Sequence, residues 1–465
     1  MHLSIQSAAQ LALKLVAAGA ALAVSQLVCA QVSEFKLGNG AKLIVSEDHR
    51  APTVVHMVLY RAGSIDEVNG KTGVAHVLEH MMFKGTKTIK QGEFSRIVAA
   101  MGGRENAFTS KDLTGYFQQI PKINLAKVMA LESDRMTHLV ITKDDFEKEI
   151  KVVMEERRMR TDDNATAQVY EQLLATAFNA HPYRRPIVGW MNDLEAMTYK
   201  DAQEWYKNWY SPSNALILVA GDVNPKEVLK IAQQTYGKAK AYDLPPRKPQ
   251  VEPEQKGERR GLVKAPAENP YVIMGYKVPK LEDVEKDSEP YALEILSAVL
   301  DLDENGRFTK NIIRGSRLGN SAGAGYDMTA RGPQLFLLDG VPADGKTTAE
   351  LEVALLAEVK KIADEGVTEE ELKRIKTQYV AGTVFKRDSV YAQAMELASL
   401  EIIGLKWSDA DRILERIKQV TAPEVQAVAK KYFGADTRTV VTLLPQPIDK
   451  TAPPRKAPAG ARHGG

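Results

Sequence analysis

The chain has 465 residues, 44% hydrophobic and 26% charged, with 62 Lys and Arg against 60 Asp and Glu. That length exceeds one hydrophobic core and calls for two or three domains. A net charge of +2 without a basic stripe or a basic amphipathic helix argues against nucleic acid as a partner, and against membrane attachment of the mature chain.

Residues 1–30 carry one charged side chain, Lys14, ahead of the apolar run "LVAAGAALAVSQLV" from Leu15 to Val28. "VCA" follows and ends at Ala30, with small residues where a signal peptidase needs them. The run is too short and too Ala-rich for a membrane span. Residues 1–30 are therefore expected to be a signal peptide. The only cysteine, Cys29, falls inside it. A mature chain without thiols has no disulfide, no thiol nucleophile and no thiolate ligand. Export under those terms fits a bacterial periplasm.

"FKLGNGAKLIV" (Phe35 to Val45) predicts a hairpin around Gly38-Asn39-Gly40. Thr53 to Ser64 reads as a strand, and Gly73 to Gly85 as a helix. Glu105 to Ile120 reads as two strands joined near Lys111-Asp112. Helical patterns run from about Asn124 to Trp209. A strand spans Asn214 to Val223, and a helix begins after Pro225. Strands and helices are grouped, which predicts an α+β fold. "YDLPPRKPQVEPEQKGERRG" (Tyr242 to Gly261) reads as a linker, and the Pro-rich stretch from Pro445 as a disordered tail. The expected units are 1–30, 31–241, 242–261, 262–444 and 445–465.

The two halves look like copies. "VITKDDFEKEIKVV" (Val140 to Val153) matches "GVTEEELKRIKTQY" (Gly366 to Tyr379), with Thr142 against Thr368. Each Thr has an acid three residues on, the signature of a capped helix start. "NWYSPSNALILVAGD" (Asn208 to Asp222) likewise pairs with "KYFGADTRTVVTLLP" (Lys431 to Pro445).

The helix from Gly73 carries chemistry that the second copy lacks. His76 and His80 are one turn apart, and Glu79 shares their side of the helix. Two such imidazoles can hold one zinc ion, and the carboxylate between them can take a proton from a water on that ion. A lone buried His is usually a satisfied core residue. Two His and a Glu on one apolar helix face are harder to satisfy without an ion. A catalytic zinc takes a third protein ligand. His56 sits in a strand pattern, and His138 and His181 lack companions. In "FEKEIKVVMEERRMR" (Phe146 to Arg160), Glu149 and Glu156 are two helical turns apart and share a face with Val153. Taken alone, that run reads as a charged surface helix.

The pentad His-x-x-Glu-His, the "FKGT" after it and the Glu-rich helix resemble the pitrilysin and mitochondrial processing peptidase family of zinc peptidases. The resemblance covers nearly all of Val32 to Leu444. It implies one zinc per chain on His76, His80 and Glu156, with Glu79 as general base and Glu149 orienting the site. "NAFTSKD" is similar to the family's substrate-binding edge strand, which makes Asn106, Ala107 and Phe108 peptide contacts. The implied fold is two homologous α/β-sandwich domains facing each other around a chamber. The implied activity is zinc-dependent hydrolysis of peptides or unfolded segments. Active members often place an Arg and a Tyr seven residues apart in the second domain. Here Arg314 is followed at that spacing by Ser321, and Tyr326 comes later. Either another residue substitutes for that Tyr, or a homologous partner subunit or a second copy completes the site. The alternative is a scaffold or regulatory subunit with little turnover of its own.

Overall fold

In the computed structural model, which describes residues 31–448, the Gly38-Asn39-Gly40 hairpin forms between β1 (Val32–Lys36) and β2 (Lys42–Glu47). The expected signal peptide and the tail from 449 onward lie outside the described residues. The first half continues through β3 (Thr53–Tyr60), α1 (Val74–Met81), α2 (Glu93–Ala100), β4 (Arg104–Thr109), β5 (Thr114–Pro121), α3 (Leu125–His138) and α4 (Lys143–Arg157). It ends with α5 (Ala165–Ala177), α6 (Met191–Ala196), α7 (Tyr199–Trp209), β6 (Ala215–Gly221) and α8 (Pro225–Gln234). The second half contains β7 (Arg259–Pro266), β8 (Tyr271–Val278), α9 (Glu289–Asp301), β9 (Gly319–Gly325), β10 (Gln334–Pro342), α10 (Thr348–Glu365) and α11 (Glu369–Lys386). It closes with α12 (Val390–Ile403), α13 (Ala410–Gln419), α14 (Ala422–Tyr432) and β11 (Arg438–Gln446).

The duplication is visible in the sheets. Their strand orders are β1-β2-β6-β3-β5-β4 and β7-β11-β8-β10-β9. Without β1 the two coincide: β2 and β6 pair in parallel, as do β7 and β11, and every other neighbour is antiparallel. Thr142 accepts the Asp145 N–H at the start of α4, and Thr368 accepts the Glu371 N–H at the start of α11, both at 3.1 Å. These are the caps that the paired Thr-x-x-acid signatures predict.

Each sheet has its own helices on one face and a helix from the other half on the opposite face. Val58, Leu78 and Val153 belong to the first half's own core. On the far side of that sheet, Ile44, Met57 and Leu218 pack against Ala394, Leu397 and Ile402 of α12. In return, Val169, Leu173 and Ala177 of α5 cover Ile273, Val441 and Leu443 of the second sheet. Covering both faces explains why β6 is apolar and buried throughout. Each Leu, Ile or Val buried this way contributes roughly 1.5–3 kcal/mol.

The linker is shorter at its end than the sequence predicts. Residues 259–261 open β7, and Pro445 and Gln446 of the expected tail pair with Ala265 and Pro266. An edge strand can be charged on its open side, so the Arg-rich start of β7 hides its strand character. The linker is also tied down. Glu252 accepts the backbone N–H groups of Asn179, Ala180 and His181, each at 2.9 Å, and pairs with Lys277.

Two glycines and a carboxylate fix the start of α1. Gly73 and Gly189 have φ near +90°, and a Cβ on either would lie 2.4 Å from a carbonyl oxygen of the other's segment. Only glycine permits this backbone-to-backbone contact. Glu67 accepts N–H bonds from Gly73 at 2.9 Å and Ala75 at 3.0 Å, which satisfies donors that a helix start leaves open.

Candidate metal centre

All eight residues of α1 are buried, against α4 and α7 on one side and β4 on another. The i, i+4 spacing sets the rings of His76 and His80 4.8 Å apart. Both face Glu156 on α4. Its carboxylate lies 3.2 Å from His80 Nε2 and 3.8 Å from His76 Nε2. One ligand atom from each of the three falls within 4.8 Å of the others. Two imidazole nitrogens and one carboxylate oxygen are a donor set that zinc takes in catalytic sites. Glu149, two turns before Glu156, meets His80 Nδ1 at 2.9 Å and pairs with Lys84. A carboxylate on the far nitrogen of a ligating His fixes its tautomer and orientation.

The Glu-rich run is therefore not simply a charged surface helix. Glu147, Lys148 and Lys151 are exposed, but Phe146, Glu149, Val153 and Glu156 share the buried face. α4 runs on into a π-helical turn, Arg158–Asp162, from which Arg160 reaches Glu156 at 3.0 Å. Such turns recur at functional sites.

Glu79, 2% exposed, accepts a 2.6 Å hydrogen bond from the Thr109 hydroxyl at the end of β4. Burial pushes its carboxyl up to about 7. Burial alone would lower His80, but its bonds to Glu149 and Glu156 raise it to about 9. Burial likewise works against the Glu156 charge, yet the His80 hydrogen bond holds that group down at about 2. These shifts express one requirement: buried carboxylates need positive charge beside them. A proton on His80 meets it. A divalent cation among the same side chains meets it with more charge. The residues present fit such an ion.

A cavity of about 390 Å³ opens onto the cluster, lined by His76, Glu79, Ala107, Phe108, Thr109 and Glu156 among others. Asn106, Ala107 and Phe108 lie on β4, the edge strand of the first sheet. The structure does not bring Arg314 to this cavity. It is 59% exposed by side chain and paired with Glu304. Ser321 lies in β9, where its hydroxyl accepts the Val341 N–H, and Tyr326 donates to the Pro279 carbonyl. Among the described residues, the other candidate histidines stay apart from the cluster. His56 is bonded to Gln118 and Tyr236, His138 to Asp134, and His181 accepts from the Tyr183 N–H. The sequence reading missed Thr109, Arg160 and Glu67. Thr109 was accessible to it, because residues two apart on a strand share a face and Ala107 was already singled out. Glu67 has no local signal.

Two family models match the chain: "Insulinase (Peptidase family M16)" over residues 42–190 and "Peptidase M16 inactive domain" over residues 196–379. The chain is 31% identical to the zinc protease PqqE of Helicobacter pylori, over 88% of this chain and 92% of that protein. It is 28% identical to an uncharacterized zinc protease of Mycobacterium leprae, over 84% and 86% of the two chains. Among solved structures, a protease from Helicobacter pylori aligns with a TM-score of 0.85 at 30% identity, covering 90% of this chain and all of that one. The first half of the periplasmic protease PqqL of Escherichia coli shares the fold, with a TM-score of 0.75 at 22% identity.

Proposed function

Because the chain belongs to the M16 peptidase family, we propose that it is a zinc-dependent endopeptidase acting on peptides and unfolded segments in the periplasm. The observation that carries this reading is the buried convergence of His76, His80 and Glu156 beside Glu79, on a cavity bordered by an open strand edge. His76, His80 and Glu156 would hold the ion, and Glu149 would keep His80 in register. Bound there, zinc would supply a Lewis acid that polarises the scissile carbonyl and acidifies water.

The other steps belong to the chain itself. A peptide adds to the free edge of β4 by main-chain pairing, so its affinity depends little on sequence. Glu79, steered by Thr109, accepts the proton of the attacking water and returns it to the leaving amine. Burial raises that carboxyl, which makes it a stronger base than an exposed glutamate. The relatives, named zinc proteases, support the same class of reaction.

Metal analysis of the purified mature chain, paired with cleavage of a quenched unstructured peptide, tests this reading. The expected result is one zinc per chain and cleavage that a chelator stops and added zinc restores. Cleavage that survives complete metal removal would overturn it. A second reading rests on Arg314 lying on the surface, paired with Glu304, while Ser321 stands at the Tyr position. On that reading a homologous subunit completes the site. It expects zinc without turnover until the partner is added.

A further inference from the structure

We propose that Lys111 reads a carboxylate on the bound peptide, so that the site prefers substrates carrying an acidic group near the cleaved bond. This rests on the peptidase reading above and adds a selectivity to it.

Lys111 lies in the turn between β4 and β5, two residues beyond the Thr109 that holds Glu79. It lines the cavity at the metal centre and also a neighbouring cavity of about 610 Å³, which reaches Tyr326 and Leu337 of the second half. It thus stands where one cavity passes into the other, on a route that an extended peptide leaving the cluster can follow.

The ammonium is held but not neutralised. It sits 5.0 Å from the centre of the Tyr183 ring and 5.9 Å from that of Tyr170, within the range of cation–π attraction. Ring faces attract the charge and leave its three N–H donors unused. The other cations around the cavity are engaged: Arg160 with Glu156, Arg184 with the Asn179 carbonyl, Arg185 with Asn69 and the Glu67 carbonyl. Among the described residues, the Lys111 ammonium is the one of these four cationic groups with no hydrogen bond or ion pair to the protein, its backbone carbonyl taking the Ile65 N–H. Its neighbour Asp112 is committed elsewhere. One carboxylate oxygen takes the Tyr183 hydroxyl at 2.5 Å, and the other takes the Arg331 N–H at 3.0 Å. Burial pushes the Lys111 ammonium down to about 8, with only Asp112 opposing. A carboxylate arriving in the cavity supplies the acceptor and the counter-charge together. Such a group comes from an Asp or Glu side chain or from the peptide's own C-terminus.

Binding rather than turnover decides the matter. The full mature chain carrying Glu79→Gln is titrated with fluorescent unstructured peptides that differ only by Glu against Gln, scanned through each position. A further pair differs only by a free or amidated C-terminus. The expected result is one position, or the terminus, where the acid binds about tenfold tighter, the lower end of a charge-assisted hydrogen bond. Lys111→Gln should erase that preference, with a zinc content and a urea midpoint matching the parent as the check that the variant is folded. Lys111→Arg should keep it. A preference that persists in Lys111→Gln, or the absence of any acid preference, overturns the proposal. Turnover of the neutral peptide by the unsubstituted chain reports separately on the peptidase reading.

Discussion

α1 and α4 of the first half have counterparts in α9 and α11 of the second, and the contrast between the two pairs separates what the fold needs from what the site needs. α9 follows β8 as α1 follows β3, yet it buries Leu293, Ile295, Leu296 and Val299 where α1 buries two imidazoles and a carboxylate. At the same distances from the caps Thr142 and Thr368 stand Glu149 against Ile375, and Glu156 against Gly382. Ile375 is wholly buried in hydrocarbon. The scaffold therefore accepts a mostly apolar interior at this place, with one acid of α9, Glu294, half-buried and held by the Tyr379 hydroxyl of α11 at 3.0 Å. The first half departs from it by clustering groups that cost free energy to bury.

That contrast can be broken from its most sensitive point. Glu79→Gln keeps the shape of α1 and removes the base, so kcat should fall by about 10²–10⁴, the usual contribution of a general base, with zinc content and peptide affinity retained. An unchanged kcat would mean that Glu79 is packing, as α9 is. Glu149→Gln should next weaken zinc binding by about 10–100-fold in a competition titration, because His80 loses its carboxylate partner. Transplanting the second half's choice sharpens the comparison. His80→Leu, Glu149→Ile, Lys84→Met and Glu156→Gln together, which leave no buried charge without its partner, should match or exceed the stability of the metal-free parent, by up to about 4 kcal/mol in urea, since whole buried ion-pair sets often yield to well-packed hydrocarbon. A large loss of stability would show that the cluster supports the fold.

The smallest effect lies in the segment between the halves. Burial works against the Glu252 charge, but N–H bonds from Asn179, His181 and Ala180 and the Lys277 ammonium hold it down at about 2, below its ordinary 4.5. The stability this contributes is complete above pH 4.5 and is lost as the pH falls through about 2. Glu252→Gln should cost about 1–2 kcal/mol at neutral pH. It should also flatten the dependence between those two values, as read from urea midpoints.

What the sequence revealed was what is local. His76, Glu79 and His80 stand within one turn and a half of helix, and the Thr142 and Thr368 caps stand three residues from their acids. The hairpin at Gly38-Asn39-Gly40 announces itself by turn chemistry. What stayed hidden is set by partners far along the chain. Nothing in the periodicity of α5 says that it covers Val441 and Leu443 rather than its own sheet. The Arg-rich opening of β7 resembles linker because an edge strand need not be apolar. Lys111 is one lysine in a turn until Tyr170 and Tyr183 close over it. The buried face of α4 became legible through family resemblance, since its composition alone points outward.

The exchange of α5 and α12 gives the molecule the mechanics of a handclasp. Each half keeps a finger in the other's palm, so swinging the halves fully apart means pulling two helices off apolar sheet faces at once. A cut in the 241–256 stretch should leave both grips intact, so the two pieces should still elute together on gel filtration.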